Sequence, residues 1–177
     1  MYIVFLIVII ASFLAAPASA SDAPPVPVAS VDLERYVGRW YEIAKIPNKF
    51  QKSCAGNTTA EYVLREDGRI DVINRCLEAN GNVNEARGIA RIEDEESNAR
   101  LKVSFVRFLG RNWFWGDYWV LGLGPEYEYA IVGHPERTYG WILSRTPKLG
   151  ETTLARIFEQ LEAQGYDPHR FELTPQE

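Results

Sequence analysis

The strongest constraint on this chain is a succession of eight short, strand-like segments between Arg39 and Arg145, each ended by turn-forming residues. They cover residues 39–46, 58–65, 70–77, 85–93, 101–105, 118–123, 127–133 and 139–145. Within 58–65, Ala60, Tyr62 and Leu64 alternate with Thr59 and Glu61. Within 101–105, Leu101, Val103 and Phe105 alternate with Lys102 and Ser104. A period of two marks a strand with one buried face. Glu66-Asp67-Gly68-Arg69 reads as a hairpin turn, and Gly124-Pro125-Glu126 and His134-Pro135-Glu136-Arg137 separate the last three strands. Connections this short force neighbouring strands to run antiparallel. Eight such strands can close on themselves, which removes the exposed edges. A barrel of that size holds one small ligand.

After Arg145 the period changes. Leu154, Ile157, Phe158 and Leu161 lie at i, i+3, i+4 and i+7, the spacing of one helical face, and Gly165 is placed to stop the helix. The expected fold is therefore all-β: an eight-stranded antiparallel up-and-down barrel with one C-terminal α-helix packed outside. Residues 166–177 are expected to form a tail or a short extra strand.

The first 21 residues carry no charged side chain, residues 3–16 are almost wholly apolar, and Pro17-Ala18-Ser19-Ala20 follows. Ala18-x-Ala20 has the small-residue form of an export-signal cleavage site. The expected division is a signal peptide over 1–20, a Pro-rich linker over 21–30 (Pro24, Pro25, Pro27) and one domain over 31–177. The chain is then exported, to a periplasm or outside the cell; the uncharged stretch is also just long enough to span a bilayer, so the alternative is a retained anchor. With no Cys before Cys54, it has no residue for an N-terminal lipid anchor of the bacterial lipoprotein kind. A net charge of −5 with interspersed Lys and Arg argues against a nucleic-acid partner. No Cys and His spacing matches a metal site, neither His134 nor His169 sits in a nucleophile motif, and no cofactor is implied.

Three motifs carry a resemblance. Gly38-Arg39-Trp40 is a Gly-x-Trp signature at the first strand. Pro125-Glu126-Tyr127 keeps only the Tyr of a Thr-Asp-Tyr turn. Arg145 ends the last barrel strand in Leu143-Ser144-Arg145-Thr146-Pro147. With Trp40-Tyr41-Glu42-Ile43-Ala44-Lys45-Ile46-Pro47 and Ala60-Glu61-Tyr62, the chain resembles the lipocalin family. It is most similar to the bacterial lipocalin (Blc-type) and apolipoprotein D branch, over about residues 31–173. Gly38, Trp40, Tyr127 and Arg145 then read as structural, with the Arg145 guanidinium over the Trp40 indole at the closed end.

The resemblance implies a cup that binds, stores or transports a small hydrophobic ligand, in this branch a fatty acid or lysophospholipid, in the cell envelope and without enzymatic activity. Faces opposite the solvent-facing positions supply the expected ligand wall: Ala44, Ala60, Tyr62, Val72, Phe105, Tyr118, Val120 and Trp141. Ala86, Gly88 and Gly122 are expected to leave volume beside them. The first, third, fifth and seventh connections then lie at the open mouth, where Cys54 and Cys76 meet as a disulfide. Residues 108–116 are expected to form an aromatic mouth loop, with Trp113, Phe114 and Trp115 as a lid, a gate or a lip touching a membrane. A membrane surface and a second copy of the chain are further candidate partners. The alternative functions are a lipocalin-fold enzyme acting on a lipid or isoprenoid, with inward-facing Glu42 as its acid or base, and an envelope protein docking on membrane.

Overall fold

The computed structural model describes residues 23–177; the expected signal peptide lies outside them. The strands are β1 Gly38–Lys45, β2 Cys54–Leu64, β3 Ile70–Glu78, β4 Val83–Ile92, β5 Arg100–Ser104, β6 Val106–Phe108, β7 Arg111–Trp113, β8 Gly116–Leu123, β9 Tyr129–Gly133, β10 Gly140–Ser144 and β11 Glu172–Leu173. Eight of them form one antiparallel sheet in the order β10-β9-β8-β5-β4-β3-β2-β1, and β1 pairs with β10 to shut the barrel. A four-residue helix, α1 (Leu33–Tyr36), lies below the barrel and is capped by the Asp32 carboxylate. The long helix α2 (Glu151–Ala163) packs outside.

The apolar residues sort into two clusters on opposite faces of the sheet. The inner one contains Trp40, Ala60, Tyr62, Val72, Leu101, Val120, Val132 and Leu143, joined by Val31 and Tyr36 from below. The outer one joins Ile43, Ala44, Leu121, Ile131 and Ile142 to Ile157 and Leu161 of α2. Strict alternation would not produce that outer patch. The β1–β10 register shifts between Glu42 and Ala44, and the β8–β9 register shifts between Val120 and Gly122. Each bulge turns two successive residues outward, Ile43 with Ala44 and Leu121 with Gly122, before alternation resumes. Ala44 therefore pairs with outer-face Ile142. A Cβ on Gly122 would lie 2.8 Å from Ile131 and 3.1 Å from Gln160 of α2. Neither residue faces the interior, as parity counting had placed them.

Two further expectations change. The aromatic mouth connection is a hairpin, β6 with β7, in place of a loop. The Pro-rich stretch is extended but docked. Val28 N–H donates to Val120 O at 2.9 Å, Val26 exchanges two hydrogen bonds with the Gln164 amide, and Pro25 is buried. Residues 172–177 do add an extra strand, described below.

Candidate functional site: a cup with a closed floor

The floor is built around Arg145. Its guanidinium carbon lies 3.7 Å from the Trp40 ring centroid. Its Nη1 donates to Arg39 O at 2.8 Å, and its Nη2 reaches the carbonyls of Arg35, Tyr36 and Val37. One rigid fork thus satisfies the carbonyl end of α1 and holds that helix under Trp40. Trp40, itself fully buried, donates from Nε1 to Tyr36 O at 2.8 Å. Tyr127 holds the other end of α1. Its hydroxyl accepts from Asp32 N–H at 2.9 Å, and the Arg35 guanidinium lies 4.2 Å over its ring. Gly38 has φ +93, which only glycine adopts without strain, and a Cβ there would lie 3.5 Å from Arg145 Nη1.

Directly above the floor, three tyrosines converge. Tyr36 stacks on Tyr62 at 5.8 Å, and Tyr62 meets Tyr118 edge-on at 6.2 Å. The Tyr118 hydroxyl lies 2.6 Å from that of Tyr36 and 3.0 Å from that of Tyr62. Burial pushes all three phenols up: Tyr36 and Tyr118 well above the ordinary tyrosine value, Tyr62 to about 12.

The wall rises from this floor. Trp40, Ala60, Asn74 and Ala86 lie in register across β1 to β4, one inward row in which two alanines follow the tryptophan. The next row is Gly38, Tyr62, Val72 and Gly88. Phe105 lies over Gly88, where a Cβ would come within 2.7 Å of its ring. Phe105 is still 41% exposed, and Ala86, on the inner row, is exposed as well. Exposure on the inner face is thus found at Phe105 and Ala86, whereas Val120 is fully buried. Of the expected wall residues, Ala60, Tyr62, Val72, Tyr118, Val120 and Trp141 belong to or pack on the inner cluster, Phe105 lies over Gly88, and Ala44 is outside.

Near the mouth, a polar hub that sequence reasoning missed organises the first connection. Gln51 Oε1 accepts from Trp141 Nε1 at 3.1 Å and from Asn48 Nδ2 at 2.7 Å. Gln51 Nε2 donates to Glu42 Oε2 at 2.6 Å, while Glu42 Oε1 accepts from Thr174 Oγ1 at 2.6 Å and from Lys45 Nζ at 3.2 Å. The buried Glu42 carboxylate is thus occupied by three partners, two of them on loop and tail. A loop glutamine carries no periodic signal, so only the unpaired inward Glu42 could have pointed to it. Lys45, Lys49, Gln51, Lys52 and Glu172 line a crevice of about 430 Å³ beside this hub. The Cys54–Cys76 disulfide, with Cα atoms 5.5 Å apart, joins the mouth ends of β2 and β3.

The β6–β7 hairpin stands over the mouth. Phe108 is 63% exposed, and Leu109 and Phe114 are each 84% exposed. Trp113 is half-exposed, with Nε1 donating to Phe108 O at 3.2 Å. Trp115 is instead covered by the Arg91 guanidinium, 4.5 Å from its ring.

The comparisons with known proteins agree with this geometry. Residues 31–176 match the model of a lipocalin-like domain. The chain is 42% identical over 152 residues to temperature-induced lipocalin-1 of Arabidopsis thaliana, covering 84% of this chain and 81% of that protein. It is 36% identical over 158 residues to the outer membrane lipoprotein Blc of Escherichia coli K12, covering 87% and 86%. With bovine apolipoprotein D the identity is 35% over 163 residues, covering 86% and 80%. Among solved structures, insecticyanin from the tobacco hornworm Manduca sexta superposes with a TM-score of 0.69 at 24% identity over 92% of this chain and 88% of that one, a likeness of fold. The chain belongs to the lipocalin family, whose members generally bind or transport small hydrophobic ligands, and it lies on the branch of the Blc lipoproteins and apolipoprotein D.

Proposed function

We propose that this protein carries or stores a single-chain lipid, of the fatty acid or lysophospholipid class, in an exported compartment of the cell envelope. The observation that carries the reading is the division of the inner face: a sealed floor under Trp40, and above it the exposed Ala86 and Phe105 with the half-buried Gly88 and Trp141. An acyl chain entering that space loses its contact with water, at about 0.8 kcal/mol per CH₂. Lys49 and Lys52, which outnumber Glu172 in the crevice, suit an anionic head group left at the mouth. The names of the Blc relatives, outer membrane lipoproteins, and the disulfide support an exported setting. Glu42, with its three partners in place, acts in this reading as a structural group and not as a catalytic acid or base.

Native mass spectrometry of the purified chain, followed by lipid extraction, tests the proposal. The expected result is a bound lipid, or stoichiometric uptake of added palmitate or lysophospholipid by stripped protein. Failure of both lipids to bind would overturn it.

A second reading accompanies the first, because the hairpin favours it. From Phe105 to Gly116 there are two arginines, Arg107 and Arg111, and no carboxylate, beside the exposed Phe108, Leu109 and Phe114. An apolar tip flanked by cations fits an anionic lipid surface, so the mouth would be presented to the membrane for loading. Leu109→Ser with Phe114→Ser should then reduce sedimentation with phosphatidylglycerol vesicles while leaving palmitate uptake intact. Unchanged vesicle binding would reject this second reading.

A further inference from the structure

The tyrosine floor contains one hydrogen-bond donor too many. Among the described residues, the hydroxyls of Tyr36, Tyr62 and Tyr118 have no partners but one another. Three hydroxyls carry three protons, and the two contacts at 2.6 and 3.0 Å consume two. Whichever way those bonds run, one O–H is left without an acceptor.

Burial decides which. Tyr36 and Tyr62 are 3% and 7% exposed, so an idle donor on either would carry the full cost of a desolvated hydroxyl. Tyr118 sits between them, on the inner face of β8, and remains partly accessible. The favoured arrangement has Tyr36 and Tyr62 both donating to the two lone pairs of Tyr118 Oη. Tyr118, the least buried residue of the three, then keeps the spare proton.

We propose that Tyr118 Oη is an oxygen-recognition subsite at the bottom of the cup. It donates to a neutral hydroxyl or carbonyl at the end of the lipid that enters first. The proposal rests on the carrier reading and narrows its ligand class. A plain fatty acid seated with its carboxylate at the mouth presents a methyl group to the spare donor and leaves it idle. A chain bearing an ω-hydroxyl or ω-oxo group satisfies it. An ionised carboxylate is a poorer occupant, because the burial that holds these phenols in their neutral form equally penalises an anion beside them. The subsite is a selectivity device, since a site built to hydrogen-bond a ligand oxygen discriminates strongly against the analogue that lacks it.

The test compares palmitate with ω-hydroxypalmitate, by displacement of a fluorescent fatty-acid probe, on the wild-type chain, Tyr118→Phe and Tyr62→Phe. The wild type should favour the ω-hydroxy acid by about fivefold or more. Tyr118→Phe should abolish that preference and bind palmitate at least as well as before. Tyr62→Phe should keep it, because Tyr118 still has a free proton. Uptake of both acids without preference in the wild type, or a preference that survives in Tyr118→Phe, overturns the subsite and leaves the carrier reading standing. Uptake of neither acid overturns both. Should Tyr118→Phe fail to fold, a methyl ketone of similar length with an isotopically labelled carbonyl reads the same bond in the wild type. Its infrared carbonyl stretch should fall on binding relative to hexane, and an unshifted band overturns the proposal.

Discussion

Arg145 and the tyrosines above it show how differently single residues announce themselves. Trp40 and Arg145 were legible because each ends or begins a strand within a motif, and the cup floor places the guanidinium 3.7 Å from the indole centroid. Tyr62 and Tyr118 were legible as inward residues by alternation alone. Tyr36 was not, because it reaches the floor from a four-residue helix that carries no period of its own. Their shared burial has a consequence in alkali. A tyrosine whose folded pKa is raised favours the native state fully at pH below its unfolded value, about 10. That contribution is lost as the pH climbs from there through the folded value, about 12 for Tyr62 and well above the ordinary tyrosine value for Tyr36 and Tyr118. In a spectrophotometric titration, these three should remain un-ionised while exposed tyrosines titrate, then appear together as the chain unfolds. Smooth titration of every tyrosine with no lag would contradict the buried triad.

At the scale of elements, the two bulges explain both where the reading of strands succeeded and where it failed. Alternation placed Ala60, Tyr62, Val72 and Val120 on the inner face, since the β2–β3 pairing is regular from Thr59 to Leu64 and β8 reaches Val120 before its register shifts. It misplaced Ala44 and Gly122, one step past the shifts in β1 and β8. A bulge has no marker in a single sequence, and each shift exchanges the faces of everything beyond it. The shifts serve the helix. They set Ile43 with Ala44 on β1 and Leu121 with Gly122 on β8 outside, flanking Ile142 and Ile131 of the two strands between, opposite Ile157 and Leu161, both fully buried. Replacing Ile157 with Ala should therefore destabilise the fold by about 3 kcal/mol in urea unfolding, without altering palmitate uptake by the folded fraction, because the contact lies on the far side of the wall from the cup. A loss below about 1 kcal/mol would mean that α2 adds little to the barrel.

At the scale of the whole molecule, the wall of the cup is completed by residues remote in sequence. Strands β1 and β2 pair only from Gly38 to Tyr41, then diverge towards the mouth. Residues 172–177 fill the gap: β11 pairs with Ala44 and Lys45, and Thr174 N–H donates to Ile43 O. On the other side, Asn57 N–H donates to Pro175 O at 2.8 Å, and the Gln176 amide bridges Glu42 O and Thr58 O. Gly56 admits this segment, since a Cβ there would come within 2.9 Å of Pro175 O. The sequence promised a tail or a short strand and could not say where it docked, because a segment this short has no face to count. The disulfide at Cys54 tethers the same corner, worth about 3 kcal/mol on the loop-entropy model. The seam therefore depends on both a covalent and a hydrogen-bonded closure. A chain ending at Phe171 keeps the first and loses the second: the Asn57 amide loses its acceptor, and Glu42 loses its Thr174 hydroxyl. Losing seven hydrogen bonds besides the β11 ladder, at about 0.5–1 kcal/mol each, should lower stability by about 4 kcal/mol or more and speed amide exchange at Asn57 well above that at Tyr62, which pairs below the seam. Palmitate should also leave faster, through the opened wall. Unchanged exchange at Asn57 with an unchanged unfolding midpoint would show that β1 and β2 close without residues 172–177.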